Sequence, residues 1–170
     1  MIRSLFLPLL FISSVLLETS FLQPLPRPFS LIPLVFVVGI VLLHRVGIIE
    51  GAIWFALTGL LHLLFGFQAP FFWHAFIVGG AGAFLTKQTF AHRSLYALLA
   101  LGTSLFFVER ILRIISIEVA HLFSKLSELS SGVEFAQIPR DLFLLLVSLY
   151  VAYLTARYIE FLLRKVFYLR

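Results

Sequence analysis

The sequence predicts an all-α fold: a polytopic membrane helix bundle of about six transmembrane helices, forming a single integral-membrane domain over residues 1–170. Three observations lead there. Apolar residues make up 61% of the chain and charged residues 12%, about half the charged share of an average soluble domain. Charges sit singly at the ends of apolar runs, as they do in chains that cross a bilayer. Within those runs small residues recur at helical spacing, which close helix packing selects and lipid does not. At roughly 20 residues per span the length holds up to six spans with short loops.

The first span is expected over about residues 4–22. One arginine followed by an apolar run gives MIRSLFLPLLFISSVLLETS the outline of a signal peptide. It lacks a convincing small-x-small cleavage site and further spans follow, so it reads as an uncleaved span. The segment QPLPRP then stops the helix and stiffens the turn. The second apolar run, about residues 31–43, is short. It suits either a locally thin region or a short helix shielded by neighbours. His44, Arg45 and Gly47 close it, and Glu50-Gly51 opens the third span, which ends near Gly66. A link over residues 67–70 leads to the fourth span, about 71–86, and the polar loop KQTFAHR to a fifth that starts near Ser94. The sixth covers about 141–163, followed by a basic tail.

The third span carries the clearest packing signal. In RVGIIEGAIWFALTGLLHLLFG, Ala52, Gly59 and Gly66 recur every seven residues and share a helix face, with His62 on or beside it. In the fourth span Ala75, Gly79 and Gly82 follow i, i+4, i+7 spacing, with Gly80 and Ala83 adjacent. In the sixth, Ser148, Ala152 and Thr155 do the same. Spans three, four and six are therefore expected to approach closely.

Residues 110–129, RILRIISIEVAHLFSKLSEL, differ in kind. Arg110, Arg113, His121, Ser124 and Glu128 fall roughly on one face, with Ile114, Ile117, Leu122 and Leu126 elsewhere. This suits a helix lying in the interface or a fifth span projecting beyond it. It either connects spans or presents a docking surface for a partner, with Arg110, Arg113 and His121 as the candidate contacts. Ser130-Ser131-Gly132 ends it.

Ionisable groups inside apolar runs each need a reason. Glu18, near the end of the first span, is either an interfacial carboxylate reaching water or Arg27, or a buried one facing a cavity or partner. His62 lies deeper; Thr58 one turn back or a neighbouring helix would satisfy it, and a ligand or partner contact is the alternative. His74 is expected at the interface. With both termini cytoplasmic, that side carries Arg3, Arg45, Lys87, Arg93, Arg157, Arg164, Lys165 and Arg170, against Arg27, Arg110, Arg113, Lys125 and Arg140 outside. The bias favours this orientation.

The pattern excludes several functions. The net charge of +5 forms no basic stripe of the kind that tracks nucleic acid. Cysteine is absent, which removes disulfides and thiolate chemistry. The five histidines lack HExxH spacing, and neither a GxSxG elbow nor a Walker loop occurs. No catalytic, metal or cofactor residues are expected, and membrane lipid is an expected partner. The intramembrane acidic and basic chain of a proton-coupled carrier is missing, and no inverted halves are visible.

Glu18-Thr19-Ser20, the prolines from Pro24 to Pro33, the R-x-G-x-x-E-G-A run of Arg45 to Ala52 and the G-L-L-x-x-L-x-G run of Gly59 to Gly66 stand in an order that resembles the rod shape-determining protein MreD family. The likeness is strongest over about residues 14–86 and mostly topological afterwards. Where family members often carry a carboxamide, this chain has Glu18; where they carry acids, it has Leu34 and His62. The resemblance implies a non-enzymatic bundle of six spans, in the bacterial inner membrane, within the machinery guiding lateral cell-wall synthesis. It further implies an MreC-like single-span partner and wall-synthesis enzymes. The family is also similar in fold to the substrate-binding components of energy-coupling-factor vitamin transporters, which is the alternative reading.

Overall fold

A computed structural model describes residues 2–27, 30, 32–64, 72–88, 94–123 and 137–168. Among these the chain is helical, with six α-helices and no strand. Helix α1 (Ile2–Leu16) runs directly into a π-helical turn, Leu17–Leu22. Helix α2 (Leu34–Val41) does the same over Leu42–Val46. Helices α3 (Ile48–Leu64), α4 (Phe72–Gln88), α5 (Leu95–Phe123) and α6 (Ile138–Tyr168) follow.

Local chemistry sets the boundaries. Pro33 has no N–H to lose at the start of α2, and its carbonyl accepts the first helical bond from Val37 at 2.9 Å. The π turn after α2 closes when the Gly47 N–H reaches the Leu42 carbonyl at 3.0 Å. Helix α3 opens at once, with Glu50 in its first turn where the helix dipole favours an acid. Ser94 caps α5, its hydroxyl accepting the Ala97 N–H at 3.1 Å.

Helix α2 is the centre of the bundle, packing on α1, α3, α5 and α6, while its π turn reaches α3 and α4. One core joins Val37, Ile40 and Leu43 to Phe55, Val78, Leu98, Leu101, Leu105, Leu145 and Leu149. A second places Trp54 between Phe11 and Leu42, with the Phe11 ring edge-on at 5.1 Å. The polar contacts gather at two ends. Asp141 marks one, where it pairs with Arg110; Glu160 marks the other, where it pairs with Arg45. Successive helices alternate in direction between these ends, so Ile2 and Tyr168 both lie toward the Glu160 end.

Two expectations change, and one open alternative is resolved. The six helices are present, but among the described residues only Ile138–Phe161 is both long and apolar enough, taken alone, to cross a membrane. The stretches Leu7–Leu22, Leu34–Val46 and Ile48–Leu61 are apolar but shorter. In α5 the apolar run is cut by Glu109, Arg110, Arg113 and Glu118. The sixth span does not close on the third and fourth; α6 packs on α5 and α2, because α2 and α5 stand between. The amphipathic stretch after residue 110 takes the second of its two expected forms, a fifth helix that projects onward, and residues 124–132 lie outside the described residues. It continues α5 without a break to Phe123.

Candidate functional site

The small residues of α3 and α4 make the tightest seam in the bundle. A side chain added at Gly79 would come within 2.7 Å of the Phe55 Cβ, and one at Gly82 within 2.6 Å of Leu43. Gly51 approaches the Leu43 Cα so closely that an added Cβ would lie 2.8 Å from it. Residues 51, 55 and 59 form the buried line of α3, and Ala52, like Ala75 on α4, is only half-buried. The seven-residue repeat found Gly59, which is buried, but its Ala52 partner sits beside the contact and Gly51 within it. Gly39 under Trp54 and Phe55, and Gly102 under Leu149, are further close approaches that lie outside any sequence repeat. Gly80 faces open space. The His62 and His121 side chains and Gly66 lie outside the described residues.

Glu18 is set in the π turn that ends α1, half-buried. Its carboxylate Oε2 accepts the Val35 N–H at 2.7 Å. That N–H belongs to the first turn of α2, which has no internal partner for it, and Pro33 offers no side-chain cap. An anion there also meets the positive end of the helix dipole. The Val35 carbonyl accepts the Trp54 indole N–H at 2.8 Å. One residue of α2 is therefore held by α1 through its N–H and by α3 through its carbonyl.

At the Asp141 end Arg110 bonds Asp141 of α6, and both side chains are over four-fifths buried (18% and 19% exposed). Its guanidinium also lies 5.1 Å from the Phe106 ring centre. Arg110 thus faces α6 within the chain and does not stand on a fully open face. Arg113 is half-exposed and lies 3.7 Å from Glu109 one turn back. His74, expected at the interface, is buried, with Nε2 2.6 Å from the Ser116 hydroxyl of α5. At the Glu160 end the Arg45 guanidinium crosses the Tyr153 ring at 4.6 Å and bonds both Glu160 oxygens at 3.0 and 3.2 Å. Asp141, Glu160, Ser116 and Trp54 carry these contacts, yet nothing in the local sequence around them pairs them with their partners.

Hydroxyls inside the helices turn back on their own backbone. Ser14, Thr58, Thr103, Ser104, Ser148 and Thr155 each donate to the carbonyl four residues earlier. Thr58 therefore spends its proton on Trp54. Among the described residues no group of three or more acids, histidines or cysteines is placed to hold a metal. What the arrangement offers is geometry: a tight helical seam, a clasped central helix and two ionic ends. No protein-family model, curated protein or solved structure matches the chain.

Proposed function

We propose that this chain is an integral-membrane bundle acting as a non-catalytic scaffold subunit, and that its assembly is a cell-shape and wall-elongation complex. The observation carrying the membrane part is the exterior. Leu9, Ile12, Leu17, Phe21, Ile49, Leu63, Phe76, Phe84, Phe107, Ile115, Phe143 and Leu154 are all exposed, and they come from five different helices. Monomeric soluble proteins rarely expose so many large apolar side chains, which mark a membrane or partner contact. On α6 the paired acids Asp141 and Glu160 stand 19 positions apart, about 28 Å of helix, close to a bilayer's hydrocarbon thickness. Trp73 is exposed near one end and Tyr96 and Tyr158 near the other, where interfacial aromatics belong. The shorter helices fit such a setting when neighbours and snorkelling side chains make up the mismatch.

The scaffold part rests on the seam and clasps, which spend polar groups on holding helices together, and on an order of motifs that resembles that of the MreD family. Copurification from gently solubilised native membranes, followed by mass spectrometry, tests it. Recovery of an MreC-like single-span protein or a wall synthase is the expected result. Recovery of an ATPase-bound coupling subunit would instead favour the vitamin-transporter reading and remove the scaffold.

A further inference from the structure

We propose that the outward face of α6 at the Glu160 end is a binding site for the phosphate of an anionic phospholipid, with Arg157 as its central contact. The inference rests on the membrane reading above. Arg157 is exposed, and no carboxylate among the described residues pairs with it. Glu160, three positions on, is the nearest acid in the helix, but both its oxygens are engaged by Arg45. Arg157 therefore lies about one turn inside the ionic end of the slab without a counter-charge among the described residues.

A guanidinium at that depth is costly unless it snorkels to an anion at the surface. Its surroundings suit a lipid better than a protein carboxylate. Leu154, Tyr158 and Phe161 beside it are all exposed, giving an apolar wall for an acyl chain below and an aromatic at glycerol depth. Helix α6 continues to Tyr168, beyond the ionic end marked by Glu160. Arginine matches phosphate with two parallel N–H donors, which a lone lysine cannot.

The test uses the full-length chain reconstituted in nanodiscs of equimolar phosphatidylglycerol and phosphatidylcholine, with retained lipid counted by native mass spectrometry. The wild type is expected to retain phosphatidylglycerol, and Arg157→Gln to lose about five- to tenfold of that preference. Lys87→Gln, an exposed charge at the same end on α4, should keep it. Equal retention by Arg157→Gln and wild type overturns the site. So does a wild type with no headgroup preference. If Arg157→Gln leaves lipid unchanged but loses a copurifying protein, the face belongs to a partner helix and the lipid proposal is wrong. Carbonate extraction separates the two levels. A chain released from membranes sinks the membrane reading itself, whereas one that stays but shows no preference sinks only this site.

Discussion

At the scale of the residue, two glycines of similar sequence context have opposite roles. Gly51 lies against the Leu43 backbone, so a methyl group there must push α3 away from the π turn that ends α2. Gly51→Ala is expected to destabilise by about 1–3 kcal/mol, the usual cost of overpacking. Gly80 has nothing within 4 Å of an added Cβ. Gly80→Ala should stabilise by about 0.5–1 kcal/mol, through lower backbone entropy in the unfolded chain. Thermal unfolding of the two purified variants gives the comparison directly; equal midpoints would show that the seam is looser than its geometry. Glu18 offers a second residue-scale test. Replacing it with leucine removes the cap from the Val35 N–H, and a loss of about 1–2 kcal/mol is expected. Glu18→Gln should recover part of that, because the amide oxygen still accepts while the charge is gone. A leucine variant as stable as wild type would mean the bond contributes nothing net.

Elements are held in register by ion pairs whose partners stand far apart in the chain. Arg110 and Asp141 tie α5 to α6 across 31 positions. Asp141→Asn leaves the mostly buried Arg110 guanidinium with only the longer contact to Glu109, 3.8 Å away, and should cost about 1–3 kcal/mol. The double variant Arg110→Met, Asp141→Leu should regain most of this, since neither charge is then desolvated. A double variant no better than the single would show that the pair itself supplies the stability. These contacts also mark where sequence stops being informative. The end of the short α2 was legible because Gly47 follows, a local signal, whereas its start was placed near residue 31 and lies after Pro33. The sixth helix was legible from its apolar length. Its neighbours were not, since Ser148, Ala152 and Thr155 make a small-residue face that suits any helix, and the pair Arg45–Glu160 spans 115 positions. Local spacing found Gly79 and Gly82 as candidates but passed over Gly39 and Gly102, which have no periodic partner and are made close only by the large side chains opposite.

For the whole molecule the question is which surface meets water. An apolar belt between two ionic ends predicts three zones of reactivity, and the chain's lack of cysteine lets each be probed by a single introduced thiol. Pro24 and Arg140 are exposed toward the Asp141 end, Lys87 and Gln88 toward the Glu160 end, and Val147 in the belt between them. In intact cells a membrane-impermeant maleimide should label Pro24→Cys and Arg140→Cys, while Lys87→Cys and Gln88→Cys label only after the membrane is opened. The greater positive charge at the Glu160 end gives that direction. Val147→Cys carries the decisive reading. Its position is open in the isolated chain, so only lipid or a partner helix can shield it. It should resist the reagent in both conditions and react once the protein is unfolded in detergent. If it labels as fast as Arg140→Cys, the belt faces water and the membrane assignment fails. If Lys87→Cys labels in intact cells while Arg140→Cys does not, the bundle is inserted the other way, and the anionic-lipid face of α6 would meet the opposite leaflet.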